Sequence, residues 1–194
     1  GRYQGYATEF HARYGEACAI FWRVLMSTPI YARILYDEIR MMDSKSGLYV
    51  WCDPDEEGVL TVQQLLTGAP FKAENSTEYH VTVLYHNGAL PHQIRIPVDR
   101  PISARATHFE KWDTPKGNVL VLRLDSTGLQ SLHDELLREG LTHSFPDFNA
   151  HLTVAKNVEG AGRTQAWIES RNHYLEMCPV EIRFESAIKA SSLA

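Results

Sequence analysis

The sequence predicts an α/β fold of two similar β-α-β lobes around a central cleft, preceded by a helical N-terminal extension. Three observations point there. The tetrapeptide His80-Val81-Thr82-Val83 returns 71 positions later as His151-Leu152-Thr153-Val154. Each copy sits in an apolar, β-branched run of strand character. The order strand, helix, loop, motif strand recurs in both halves. The same shift lays Val50 on Val121, and Gln63-Gln64-Leu65-Leu66 on Asp134-Glu135-Leu136-Leu137. Composition alone gives on the order of 0.1 such tetrapeptides by chance, so two copies in matching surroundings indicate a duplicated unit.

Residues 1–45 read as helical. Tyr6, Phe10 and Tyr14, then Ala17, Phe21 and Leu25, recur every four residues as an apolar stripe. Thr28-Pro29 restarts the helix as N-cap and first helical residue. The second helix carries Ile30, Ile34, Leu35, Ile39 and Met42. Residues 46–194 form the main domain, its lobes joined around 87–118. Leu48–Cys52 is a strand, Asp53-Pro54-Asp55 a turn, and Glu56–Leu66 a helix stopped by Gly68 and Pro70. Glu78–Tyr85 is the first motif strand. Gln93–Asp113 alternates like a strand, but Pro97 and Pro101 suggest edge strands. Pro115-Lys116-Gly117-Asn118 turns the chain into the strand Val119–Leu124. Gly128–Arg138 is an amphipathic helix ended by Gly140. Asn149–Lys156 is the second motif strand, Gly160–Gly162 a turn, Arg163–Leu175 a helix, and Val180–Ala190 a last strand.

Composition narrows the function. A hydrophobic content of 44% supports a sizeable core, and a net charge of −5 argues against binding long nucleic acid. A local pocket for a small phosphate ligand is compatible with it. No apolar run is long enough to span a membrane, and no signal peptide is visible. Cys18, Cys52 and Cys178 show no paired spacing and read as reduced core thiols of a cytoplasmic protein.

The chemistry lies in the two motifs. Residues i and i+2 of a strand share a face, so each copy presents one imidazole beside one hydroxyl. An imidazole with a pKa near 6.5 serves as base or acid at neutral pH, and two of them form an acid–base couple. Thr82 and Thr153 can donate to oxygens on which charge develops. Which of His80 and His151 is base and which acid is open at this level. No cofactor is called for. No metal site is expected, because His-x-His or three-ligand spacing is absent. His86 shares a face with His80 by alternation and reads as structural or exposed. Tyr49 and Trp51 on the first strand, Trp112 between the lobes, and Phe145 and Phe148 ahead of the second motif are candidate base-stacking aromatics. Asn149 shares the face of His151.

At these residues the chain resembles the two-histidine phosphoesterase superfamily, defined by two H-x-[ST]-φ motifs in a bilobal fold. The resemblance covers about residues 46–190. Motif spacing and compact lobes are most similar to the phage anti-CBASS phosphodiesterases, which degrade cyclic oligonucleotide second messengers of bacterial antiviral systems. The resemblance implies a metal-independent phosphodiesterase with His80, Thr82, His151 and Thr153 as the catalytic set. It favours Tyr49 and Trp112 in substrate binding, with a carboxylate near the chain end, Glu185 or alternatively Glu181. It implies a cyclic oligonucleotide ligand in a host bacterial cytoplasm. The resemblance does not cover the N-terminal helices, whose aromatic face would pack on the main domain or on a partner, a second copy or a larger viral protein. Two other readings stand beside it: an enzyme of 2′,3′-cyclic or 2′-5′ RNA ends, and a non-catalytic module of a viral assembly.

Overall fold

The computed structural model describes residues 39–42, 47–97, 99–145, 147–158 and 162–193. The chain divides into two units, Gly1–Ile39 and Arg40–Ala194. Of the N-terminal helices expected over residues 1–45, residues 1–38 and 43–45 lie outside the described residues, as do residues 160–161 of the expected turn.

Nine strands and three α-helices are formed by the described residues: β1 Ile39–Met42, β2 Gly47–Cys52, α1 Glu56–Leu65, β3 Val81–Asn87, β4 Ile94–Pro97, β5 Ser103–Thr114, β6 Gly117–Asp125, α2 Thr127–Arg138, β7 His151–Lys156, α3 Arg163–Met177, β8 Val180–Arg183 and β9 Lys189–Ser192. Asp55 caps α1 by accepting from the Gly58 amide at 2.7 Å, and Ser126 caps α2 by accepting from Leu129 at 3.2 Å. Gly58 is required by packing: a Cβ there would lie 2.1 Å from the Arg183 carbonyl of β8. Pro115 and Lys116 form the tight β5–β6 turn, which Gly117 closes at φ 118°.

Two sheets carry the two motifs. The first has strand order β3-β2-β9 and the second β7-β6-β5-β8; β1 and β4 form a separate ribbon. The buried residues of both sheets form one core. Val81, Val83, Leu152 and Val154, which flank the motif His and Thr, are fully buried. Each such side chain contributes about 1.5–3 kcal/mol by leaving water.

Each motif strand contains a β-bulge at the same place. In the first sheet Trp51 pairs with Thr82 but Val50 with Leu84, leaving Val83 extra. In the second, Val121 pairs with Thr153 but Leu120 with Ala155, leaving Val154 extra. The fourth residue of each motif is therefore the bulge, which bends the strand and re-aims the side chains beyond it. The ladders also correct the repeat by one residue. Trp51, not Val50, is the structural counterpart of Val121, so the partner strands are offset by 70 while the motifs are offset by 71.

The carbonyls freed by the bulges are taken across the lobes. His133 Nδ1 of α2 donates to Val83 O at 2.7 Å, and the Glu74 amide donates to Val154 O at 2.8 Å. The Ser144 amide likewise donates to Tyr85 O at 2.8 Å. The loop that precedes each motif strand thus docks on the other motif strand, which holds the two strands together.

Several expectations are corrected. Ile39–Met42 is a strand, not the end of a helix, because it pairs with β4. Of the stretch read as edge strands, β4, which ends at Pro97 in the two-stranded ribbon, is at an edge, whereas β5 is interior between β6 and β8. Val180–Ala190 is two strands in different sheets, separated by the exposed residues Glu185, Ser186 and Ala187. Cys52 is a buried free thiol, pushed up to about 12 by burial and by the charge of Asp53, whereas Cys178 is exposed. Cys18 lies outside the described residues.

Candidate active site

The two imidazoles are held by the same device. His80 Nδ1 lies 2.8 Å from Glu78 O, and His151 Nδ1 lies 2.6 Å from Asn149 O. A carbonyl only accepts, so each Nδ1 carries the proton and each Nε2 is left for chemistry. In both cases the acceptor is the residue two positions earlier. A 3-10 turn over Ser76–Glu78 presents the first carbonyl. The duplication therefore extends to the support of each ring.

The motif hydroxyls are partly exposed while their neighbours in sequence are buried. Thr82 Oγ1 is 3.0 Å from the Tyr49 hydroxyl. Burial pushes the Tyr49 phenol up, and the Asp53 charge adds to this against the opposing effect of the Thr82 bond, so the phenol keeps its proton. Tyr49 meets the His80 ring edge-on at 6.3 Å and stacks on Trp51 at 5.0 Å.

The second motif is enclosed more tightly. Trp112 packs 4.5 Å from the His151 ring, and the Arg123 guanidinium lies 5.4 Å from the Trp112 ring. Arg123 donates to Glu110 at 3.2 Å and to the Asn149 side chain at 2.8 Å. Burial holds the His151 imidazole below its ordinary value. The nearby charges of Arg123 and His80 act the same way, against the opposing bond to Asn149.

Two adjoining cavities meet at this site. Thr82, Trp112, Phe148, Asn149, His151 and Thr153 line one of about 550 Å³. His80 lines the second, of about 290 Å³, with Glu74, Glu78 and Lys156. Thr153 and Val119 border both. Both motifs thus reach one composite cleft. Tyr49 joins it through the Thr82 hydroxyl. Phe148 lies at its wall but stacks flat on His133 at 4.3 Å. Phe145 also lines the larger cavity, exposed at its rim and 6.2 Å from Tyr85. Glu185 lies between β8 and β9, ion-paired with Lys189 at 3.2 Å, and lines neither cavity. Glu181 is exposed on β8, paired in register with Arg105.

The bulges explain what simple alternation misassigns. His86 does not share the face of His80: it is buried, with Nδ1 3.1 Å from both the Thr142 amide and the Thr142 hydroxyl. Tyr85 takes the outward face instead, 5.9 Å from Tyr49. Its counterpart Lys156 is turned outward by the second bulge. Sequence reasoning also misses Arg123, for which the one available signal is its place opposite His151 in the ladder. Among the described residues, no group of three His, Cys, Asp or Glu side chains is arranged to hold a metal ion, and no helix is long and apolar enough to cross a membrane.

The family model described as anti-CBASS protein Acb1 matches residues 46–185. The anti-CBASS protein Acb1 of Salmonella phage S16 is 27% identical over 157 residues, covering 78% of this chain and 99% of that protein. The protein of the same name from Enterobacteria phage T4 is 35% identical over 118 residues, covering 60% of this chain and 76% of its own. Among solved structures, E. coli LigT complexed with 3′-AMP covers 78% of this chain and 97% of its own, at a TM-score of 0.45 and 11% identity.

Proposed function

The chain belongs to the anti-CBASS protein Acb1 family and is a two-histidine phosphodiesterase, and on that premise we propose that it opens cyclic di- and trinucleotide messengers by 2′-hydroxyl attack, without a metal. One observation carries this reading: each motif imidazole is anchored through Nδ1, which leaves Nε2 to act, and Thr153 borders both the cavity that His80 lines and the one that His151 lines. Two such units in one cleft can flank a phosphate.

Burial disfavours the charged form of His151, which suits it to be the base. Its Nε2 takes the proton of the ribose 2′-hydroxyl. The resulting oxyanion attacks the adjacent phosphorus, and the bond from phosphorus to the 5′-oxygen breaks. His80, protonated at Nε2, gives its proton to that leaving oxygen. The ring opens to a 2′,3′-cyclic phosphate. Water then attacks with the roles reversed, regenerating both imidazoles. Thr82 and Thr153 donate to the non-bridging oxygens as charge builds on them. Tyr49 orients the Thr82 hydroxyl, and Trp112 and Phe148 offer ring faces to a base. In a phage-infected cell this chemistry acts in the bacterial cytoplasm and removes the messenger that triggers immunity.

The test is incubation with cyclic dinucleotides, cyclic trinucleotides and 2′,3′-cyclic nucleotides in EDTA, beside a His80→Ala/His151→Ala variant. Turnover by the wild type alone, with a transient 2′,3′-cyclic phosphate, is expected. Loss of turnover in EDTA would overturn the mechanism, and action on 2′,3′-cyclic ends alone would overturn the substrate.

A further inference from the structure

A third cavity, of about 560 Å³, adjoins the site and is lined by Phe71, Lys72, Lys156, Asn157, Arg163 and Thr164 among others. Lys156 borders both it and the His80 cavity, just as Thr153 borders the His80 cavity and the His151 cavity. The three form a continuous run from the catalytic hydroxyls outward.

The charged groups differ along that run. The first cavity offers the Thr82, Thr114 and Thr153 hydroxyls, the His143 and His151 imidazoles and one carboxylate, Asp147. The second places Glu74 and Glu78 around His80, and both carboxylates engage Lys156, at 2.8 and 3.2 Å. In the third, among the described residues, Lys72 and Arg163 have no carboxylate partner within 4.0 Å and no carboxylate lines the cavity. This occurs in a chain of net charge −5. Thr164 is 7% exposed, borders this cavity, and its hydroxyl has no hydrogen-bond partner among the described residues. It sits in the first turn of α3, whose N-cap Gly162 supplies no side-chain acceptor. Unpaired cations, an uncapped helix start and a free hydroxyl converge on one concavity, a combination that favours an anion.

We infer that this cavity is a second phosphate subsite, holding the phosphodiester next to the one being cleaved. The inference rests on the cyclic oligonucleotide reading of the catalytic cleft. The order along the run then matches the ligand. The reacting phosphate sits at Thr82 and Thr153. The carboxylates of Glu74 and Glu78 accept from hydroxyl or amino groups of the intervening nucleoside. The next phosphate meets Lys72, Arg163 and Thr164. A single-phosphate substrate reaches only the first of these positions.

The test compares wild type with a Lys72→Ala/Arg163→Ala variant, both side chains being exposed. Thermal unfolding midpoints check that the variant is folded. The KM for a cyclic dinucleotide and a cyclic trinucleotide rises roughly tenfold or more, with kcat little changed. The dependence of kcat/KM on salt weakens, and KM for a 2′,3′-cyclic mononucleotide stays as in wild type. A Lys72→Arg/Arg163→Lys variant restores most of the affinity. Unchanged KM for cyclic oligonucleotides that the wild type does cleave overturns the subsite alone, as does an equal rise for the mononucleotide. Wild-type enzyme that cleaves no cyclic oligonucleotide overturns the substrate reading and the subsite with it.

Discussion

His133 Nδ1 donates to the carbonyl of Val83, the bulge residue of the first motif, across 2.7 Å and 50 positions of sequence. The bond is buried, and it ties the helix of the second half to the catalytic strand of the first. A bulge leaves a carbonyl without its ladder partner, and in a buried strand that group must be satisfied elsewhere.

Replacing His133 with Leu should therefore leave Val83 O unpaired at a buried site. The expected loss is about 1–3 kcal/mol of stability, read as a lower urea midpoint at unchanged slope. A loss below about 0.5 kcal/mol would mean that the bulge carbonyl finds another partner.

The Tyr49 hydroxyl lies 3.0 Å from Thr82 Oγ1, and the proposed mechanism has it orient that hydroxyl. Thr82→Val and Thr153→Val each remove one donor to the phosphate and should lower kcat by about 10²-fold or more. Tyr49→Phe should cost less, on the order of tenfold. In a Thr82→Val background it should cost almost nothing further, because the hydroxyl it orients is gone. Additive effects in that double variant would assign Tyr49 an independent role.

The acid limb of kcat/KM should report His151 as the base. Its folded value is depressed chiefly by burial, so it stays neutral below the pH at which an ordinary imidazole, near 6.5, protonates. Activity that depends on neutral His151 therefore persists to lower pH. Trp112→Ala opens the ring to water, relieves the burial and should move the acid limb up towards the ordinary value. A limb that stays in place would remove His151 from the base role. The linkage sign for stability is the same. The unfolded chain protonates first as pH falls, so this residue's contribution weakens below about 6.5.

Arg123 donates to the side chain of Asn149, whose backbone carbonyl holds His151, and a positioning role through Asn149 is therefore the expected one. Arg123→Met should lower kcat about tenfold with little change in KM, because a loosened imidazole misses the reacting geometry. Asn149→Ala should do the same, and the double variant should be no worse than either alone. A rise in KM without loss of kcat would instead make Arg123 a substrate contact.

Much of this molecule is readable along the chain. The helix read over Glu56–Leu66 follows from the turn that precedes it and from Gly68 and Pro70 that stop it, and it forms over Glu56–Leu65. Helix Thr127–Arg138 follows from its leucine spacing. The two motifs, their strands and the hairpin at Pro115-Lys116 follow from period and turn chemistry. These are local properties, written in neighbouring residues. The C-terminal strand is legible only as a β run, because its division between two sheets depends on which edges are open.

The sequence by itself determined which imidazole and which hydroxyl recur two positions apart in each motif, since residues i and i+2 of an extended segment share a face. Tertiary structure alone decided which neighbours joined them. Bulges at Val83 and Val154 arise from pairing between strands distant in sequence, so alternation counted along one strand cannot foresee them. They turned Tyr85 and Lys156 outward, sent His86 inward, and freed the two carbonyls through which each half grips the catalytic strand of the other.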